Sequence, residues 1–349
     1  MERKNTKQIS IGNISIGARS KIAVQSMLNI PSTMLEQNVI QAKKLKSAGC
    51  DIVRVAVPNH EALKLISAIK EEVDIPLVAD IHFDYRLAVE SVLHGADKIR
   101  INPGNIGDEE KVKQIVDVCK SKNVPIRIGV NSGSLHKDVL KKYGKCTPEA
   151  MVESAMFYVK LLEKFDFDNI VLSLKCSDVA DTVNSYRLIS QKVNYPLHLG
   201  VTEAGTLNSG IIKSSMGIGS LLLDGIGDTI RVSLTADPVE EVYVAHKILK
   251  YAGLGTGGVN IVSCPTCGRT KINIIKIVNE VEKSLGNINK NLKVAIMGCV
   301  VNGPGEAKDA DIGIAGGDGC AVLFKKGEII KKIPEKEIVT ELLKEIDLM

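Results

Sequence analysis

Short β-branched runs alternate with stretches of helical period along the first 250 residues. In order, the runs are 21–27 (KIAVQSM), 51–57 (DIVRVAV), 76–83 (PLVADIHF), 98–103 (KIRINP), 125–131 (PIRIGVN), 169–175 (NIVLSLK), 196–202 (PLHLGVT) and 229–235 (TIRVSLT). Between them, segments such as 61–73 and 238–253 repeat apolar residues at three- and four-residue spacing, the mark of a helix with one buried face. Pro76, Pro125 and Pro196 open their runs, where a missing N–H removes no ladder bond. Eight strands alternating with helices predict a parallel sheet. Eight repeats in about 250 residues match a closed barrel, and the first strand–helix turn lacks the glycine fingerprint of a dinucleotide-binding open sheet. The fold class expected is α/β: a (β/α)8 TIM barrel over 1–254, then a small α+β domain over 255–349.

The second domain is read from a break in the pattern. YAGLGTGG (251–258) is a glycine-rich joint. Strands are expected at 259–264, 294–299 and 311–317, a helix at 271–284, a hairpin over 321–333 turning near Lys326 and Gly327, and a closing helix from Pro334.

Composition narrows the function. Apolar residues make up 44% and charged residues 25%, a globular balance. No apolar stretch approaches the roughly 20 residues that cross a bilayer, and the first residues lack the apolar core of a secretory signal. A cytoplasmic location is expected. The net charge is only +4 and aromatics are 3%, so the stacking platforms of a nucleic-acid binder are missing.

Polar residues recur at two-residue spacing on strand after strand, the spacing of one strand face. They are Arg54; Asp80 and His82; Arg100 and Asn102; Arg127 and Asn131; Ser173 and Lys175; His198 and Thr202, with Glu203 just beyond; and Arg231 and Ser233. Barrel active sites gather at the carboxyl ends of strands. Four arginines and a lysine stand against Asp80 and Glu203, although the whole chain is nearly neutral. Buried cations need a matching anion, and guanidinium forks suit phosphate oxygens. A small polyanionic substrate is expected. The stretch 210–222 (GIIKSSMGIGSLL) reads as a glycine-rich phosphate loop, with Ser214 and Ser215 ahead of an apolar helical run.

Eight cysteines in a reducing compartment point to metal or reactive thiols rather than disulfides. Cys50, Cys119, Cys146, Cys176 and Cys320 are solitary. Cys264 and Cys267 form a C-x2-C pair at a strand–helix turn, and Cys299 ends a later strand. Three such thiols predict a metal site. Its fourth ligand is open on spacing alone: Cys320, the Glu306 carboxylate, or a vacant position. Soft thiolates suit either zinc or an iron–sulfur cluster.

CPTCGRT followed by GCVVNGPGEA resembles the 4-hydroxy-3-methylbut-2-enyl diphosphate synthase family of the methylerythritol phosphate route to isoprenoids. The barrel segments QSM, DIVRVAVP, ADIHFD, KIRINPGN, RIGVNSGS, LSLK, HLGVTEAG and SSMGIG fit as well, from about Ile22 to Ala315. The resemblance implies a second domain like that of sulfite reductases, carrying a [4Fe–4S] cluster on Cys264, Cys267, Cys299 and Glu306. It implies a cyclic diphosphate substrate, opened reductively with loss of water. Arg54, Arg100, Arg127, Lys175 and Arg231 would hold the diphosphate, helped by Ser214 and Ser215; Asn102, Asn131, Thr202 and Ser233 also belong to the expected binding set. Glu203 is the first candidate for proton transfer, with Asp80, His82 and His198 beside it. A reduced flavodoxin or ferredoxin would deliver electrons. A homodimer is implied, the cluster domain of one chain covering the barrel of the other. The length of 132–168 has no assigned role. The rival is a barrel synthase resembling pteroate synthases, stapled by a structural zinc on Cys320.

Overall fold

The computed structural model describes residues 2–255, 258–285, 290–300 and 308–349. The chain divides into two compact units, Met1–Gly255 and Thr256–Met349, each with its own apolar core.

In the first unit the eight expected runs all form strands: β3 (Ala23–Met27), β4 (Ile52–Ala56), β5 (Leu77–Asp80), β6 (Lys98–Ile101), β7 (Ile126–Asn131), β8 (Ile170–Lys175), β9 (His198–Leu199) and β10 (Thr229–Ile230). They pair in parallel in the order β8-β7-β6-β5-β4-β3-β10-β9, and a bridge from Leu172 to Leu197 joins the two ends into a barrel. β9 and β10 keep only two paired residues each; the rest of their runs leave the ladder to build mouth loops. The surrounding helices start where the sequence supplies caps. Helix Pro148–Lys164 begins with proline in its first turn, and the Thr147 hydroxyl accepts from the Ala150 N–H at 3.2 Å. The long stretch 132–168 resolves into a turn, a short helix Lys137–Tyr143 ended by left-handed Gly144, and this barrel helix.

One element has no counterpart in the sequence reading. Residues β1 (Ile9–Ile11) and β2 (Ile14–Ile16) form an antiparallel hairpin. Ile9, Ile11 and Ile16 pack on Ala23, Ile52, Val78 and Val171, the inward residues nearest the amino ends of four strands. The barrel is therefore sealed at that end by hydrocarbon, and each buried isoleucine contributes about 2 kcal/mol of apolar burial.

The second unit is a five-stranded mixed sheet. β11 (Asn260–Ser263), β12 (Lys293–Met297) and β13 (Ile312–Gly317) run parallel; β14 (Cys320–Lys325) and β15 (Glu328–Pro334) continue antiparallel. Lys326 and Gly327 both take positive φ, as a tight two-residue hairpin turn requires. Helices Ile274–Leu285 and Ile338–Asp347 bury Ile274, Ile277, Val281, Ile338, Leu342 and Ile346 at helical spacing to form the core with the sheet.

Candidate functional site

The inward face of the barrel carries the polar residues expected from strand alternation. Arg54 on β4 pairs with Val78, Asp80 on β5 with Arg100 on β6, and Arg100 with Arg127 on β7, so register lines these side chains up around the interior. Asp80 is their hub. One of its oxygens accepts from Arg54 Nη2 at 2.8 Å, the other from Arg100 Nη1 at 3.0 Å, and His82 Nε2 lies 3.4 Å away. Complete burial would raise the Asp80 carboxyl, but Arg54, the His82 hydrogen bond and Arg100 more than offset it, and it titrates well below the ordinary range. Asp80 is thus an ionised anchor.

The remaining cations are less well paired. Arg127 is buried and its Nη1 reaches only the neutral Gln25 amide oxygen at 3.2 Å. Arg231 meets the buried Glu241 carboxylate at 3.4 Å through both Nε and Nη2. Glu241 also accepts from Ser26 Oγ at 2.9 Å and the Leu234 N–H at 3.1 Å, which fixes it against β3. Burial, then Arg127 and Arg231, pull the Lys175 amine well below its usual value. Five basic side chains (Arg54, Arg100, Arg127, Lys175 and Arg231), with Lys98 beneath them, thus have two carboxylates among the described residues to pair with, Asp80 and Glu241. Such a surplus is built for an anion.

Two glycines make room for these side chains. A Cβ on Gly129 would lie 2.5 Å from Arg100 Nε, and one on Gly200 would lie 2.6 Å from Lys175 Nζ. The cations cross the barrel over backbone that carries no side chain.

The other expected residues fall around the rim. Asn102 caps the turn after β6: its Oδ1 accepts from the Gly104 N–H at 3.2 Å and its Nδ2 donates to Ser134 O at 3.0 Å, tying two mouth loops together. Asn131 is opposite Lys175 in the ladder. The Thr202 N–H donates to Cys176 O at 3.2 Å, and Ser233 is half-buried beyond β10. His198 is buried, Nδ1 within 2.7 Å of Thr229 Oγ1; burial, then Arg127 and Lys175, hold it well below the usual histidine range. Glu203 is exposed and sits at φ +52, a left-handed conformation that costs a non-glycine residue energy and clusters at functional sites.

The glycine-rich phosphate loop is corrected. Residues Leu207–Leu223 form one continuous helix, which begins seven residues before Ser214. Ser214 and Ser215 therefore have their N–H groups inside the helix ladder, with none free for an anion. Ser214 is buried, and Ser215 lines a groove between this helix and helix Pro238–Tyr251 on the barrel's outer side. Glycine at 217 relieves close packing there: a Cβ on Gly217 would lie 2.6 Å from Val201.

In the second unit, Cys264 follows β11 and Cys299 lies two residues beyond β12, at the same end of the sheet because Ser263 is paired with Ile296. Cys264 Sγ accepts from the Gly298 N–H at 3.2 Å. Cys267 is exposed; its N–H donates to Thr270 Oγ1 at 3.2 Å, and the Thr270 N–H to Cys267 O at 3.0 Å. The Arg269 N–H, the Thr270 hydroxyl and the Arg269 charge lower the Cys267 thiol toward thiolate, the form that binds metal. Among the described residues no three metal-binding side chains converge on one point, and Glu306 lies outside the described residues. The donor set of free, half-buried or exposed thiols at one sheet end fits a soft-metal centre. Cys320 opens β14, and a Cβ on its partner Gly317 would lie 3.5 Å from its sulfur.

The residues missed by sequence reading are Lys98, Gln25, Thr229 and Glu241. Lys98 stands two before Arg100, so strand alternation alone carried the signal. Glu241 is on an outer helix, and only tertiary contact reveals it.

Fold and site define the class: a TIM-barrel enzyme with a cation-lined mouth, joined to a cysteine-bearing mixed-sheet domain. The chain belongs to the GcpE family, its residues 6–246 matching the GcpE TIM-barrel domain and 260–348 the GcpE protein C-terminal domain. A relative from Caldanaerobacter subterraneus subsp. tengcongensis, named 4-hydroxy-3-methylbut-2-en-1-yl diphosphate synthase (flavodoxin), is 60% identical over 99% of this chain and 98% of its own. A Clostridium acetobutylicum relative of the same name is 58% identical over the full length of both. Among solved structures, dihydropteroate synthase from Stenotrophomonas maltophilia aligns with TM-score 0.51 at 16% identity, over 70% of this chain and 98% of that one. That likeness shows the barrel fold alone, and the zinc-stapled synthase reading finds no support. No helix among the described residues is long and apolar enough to cross a membrane.

Proposed function

We propose that this chain opens 2-C-methyl-D-erythritol 2,4-cyclodiphosphate reductively to 4-hydroxy-3-methylbut-2-enyl diphosphate. Two electrons and one proton enter, a carbon–oxygen bond of the ring breaks, and one oxygen leaves as water. The observation that carries this reading is the surplus of basic side chains inside the barrel of a chain 60% identical to a synthase of that name.

Arg127 and Lys175, the least compensated cations, take the diphosphate, with Arg54, Arg100 and Arg231 around them. Asp80 and Glu241 keep three of these arginines aimed before substrate arrives, which removes an entropic part of the barrier. Asn102, Asn131, Thr202 and Ser233 supply neutral hydrogen bonds at the rim. Glu203 is the proton donor of choice: exposed, at a strand end, and held in strained backbone. Neutral His198 and half-exposed His82 are the alternatives. Cys264, Cys267, Cys299 and Glu306 would hold a [4Fe–4S] cluster, which when bound supplies the electrons. A reduced flavodoxin is the donor, as the relatives' names indicate for those proteins.

A homodimer is part of the same reading. Its support is an exposed apolar groove of about 540 Å³ between helices Leu207–Leu223 and Pro238–Tyr251, lined by Leu207, Ile211, Leu223, Tyr243 and Tyr251. Sedimentation velocity distinguishes one chain from two.

The decisive experiment is anaerobic turnover of the cyclic diphosphate with reduced flavodoxin, together with iron and sulfide analysis. Formation of the linear diphosphate by protein holding about four of each per chain supports the proposal. Protein that holds a cluster yet leaves the substrate intact refutes it.

A further inference from the structure

Below the mouth lies a second polar layer, and its lysine, Lys98, has no part in the proposed chemistry. Lys98 shares the inward face of β6 with Arg100 and stands opposite Val78. It is 0% exposed, and among the described residues its Nζ has no hydrogen-bond partner. Arg127 Nε, His198 Nε2 and Gln25 Nε2 are buried and unpartnered in the same barrel interior. The end of the barrel beneath them is closed by Ala23, Ile52, Val78 and Val171 under the isoleucine hairpin.

The groups facing this layer come from every strand that carries charge. Arg54 comes from β4, Asp80 from β5, Arg100 from β6 itself, Arg127 from β7, Lys175 from β8 and His198 from β9; Arg231 follows β10. Among the described residues Asp80 is the one carboxylate on a barrel strand, and Arg54 and Arg100 already occupy both its oxygens. Among the described residues the layer therefore has a surplus of positive charge and no carboxylate left unpaired to meet it. Guanidinium groups keep their protons regardless. A buried amine does not, and burial, followed by Arg127 and Arg54, pushes Lys98 well below its ordinary value.

We propose that Lys98 is a positioning residue that stays a neutral amine in the empty barrel and takes up a proton when a diphosphate settles on Arg127, linking substrate binding to proton uptake. Negative charge brought to Arg127 cancels the repulsion that kept the amine neutral. The new ammonium then adds to the field that holds the diphosphate down in the barrel. Binding tightens as pH falls, by up to about tenfold per pH unit for one linked proton. The inference rests on reading the barrel as the diphosphate site.

The test is calorimetric titration of the oxidised holoenzyme with the cyclic diphosphate, without reductant, in PIPES, HEPES and Tris at one pH near 7.5. The phosphates of this ligand are strongly acidic and bring no titration of their own there. The expected result is uptake approaching one proton per chain in the wild type. In Lys98→Met the uptake disappears and the dependence of Kd on pH flattens. Wild-type binding with no buffer dependence overturns the proposal without any variant. Undiminished uptake in Lys98→Met overturns it too, because the proton then goes elsewhere, to the Lys175 amine or to His198. Absence of any binding defeats the diphosphate reading itself, and the inference with it.

Discussion

The two units carry polar chemistry in opposite ways. In the barrel, the site residues lie on strands, are mostly buried, and are held by one another: Asp80 by Arg54 and Arg100, Arg231 by Glu241. In the second unit Cys264, Cys267 and Cys299 lie on turns beyond strand ends, are half-buried or exposed, and do not converge among the described residues. The barrel is preorganised by its own ion pairs, so its geometry precedes the ligand. The cysteine turns are held by a few hydrogen bonds, such as Cys267 N–H to Thr270 Oγ1 and Gly298 N–H to Cys264 Sγ, so their final geometry depends on what they bind. Removing a barrel residue should therefore disturb folding and binding together, whereas removing Cys264, Cys267 or Cys299 should abolish function and leave the barrel intact.

The sharpest form of that contrast is Cys267→Ser. Activity should fall by at least about 10³-fold, the scale lost when one member of a catalytic unit is removed. Iron content should fall with it, while the thermal unfolding of the barrel stays where it was. A parallel loss of barrel stability would erase the distinction between the units.

Asp80→Asn comes next, and acts on both counts. It leaves Arg54 and Arg100 buried without their carboxylate, a cost of about 3–5 kcal/mol. The expected outcome is a lower denaturation midpoint and a raised KM for the cyclic diphosphate. The pH dependence has a definite sign. Because the Asp80 carboxyl is lowered in the folded state, its contribution is complete above the unfolded value near 4 and is lost as pH falls through the folded value. Denaturation measured from pH 6 to pH 2 should show that acid loss in the wild type and a flatter limb in the variant.

Gly200→Ala probes the space through which a cation crosses the barrel. The new Cβ would meet Lys175 Nζ at 2.6 Å and Arg231 O at 2.8 Å, the second being backbone that cannot swing aside. Lys175 moves off its position, and KM should rise about tenfold, ~1.4 kcal/mol. An unchanged KM in steady-state assays would mean that Lys175 does not touch the substrate.

These residues differ in how far the sequence exposes them. Strand alternation reveals Arg54, Asp80, Arg100, Arg127, Lys175 and Arg231, because period two is a property of the chain itself. The same rule reaches Lys98, which differs from Arg100 only by lying one layer deeper. It does not reach Glu241, whose role depends on a helix packing over β3, nor the Ile9–Ile16 hairpin, whose apolar residues are too few to show a period. Ser214 and Ser215 fail for a local reason. Glycine and serine after a lysine look like a loop, but the apolar residues Ile211, Ile218, Leu221 and Leu222 keep helical spacing through them, and tertiary burial overrides the low propensity of glycine.

The smallest effect is expected at Cys320, and it tests whether the cysteine-bearing unit has one sulfur more than it uses. Cys320 lies at the same end of the sheet as Cys264 and Cys299, since Met297 pairs with Ala315 and Gly317 with Cys320. It differs from them in its setting: it is the first residue of a paired strand, and its side chain rests against Gly317 rather than projecting from a free turn. A ligand must be able to shift to meet its metal, and a residue locked into both ladders of β14 has little room to do so. Cys320→Ser should therefore change iron and sulfide content by less than about twofold, with Glu306→Gln making the centre labile. Loss of the metal in Cys320→Ser, with Glu306→Gln silent, would transfer the fourth ligand from the carboxylate to the strand.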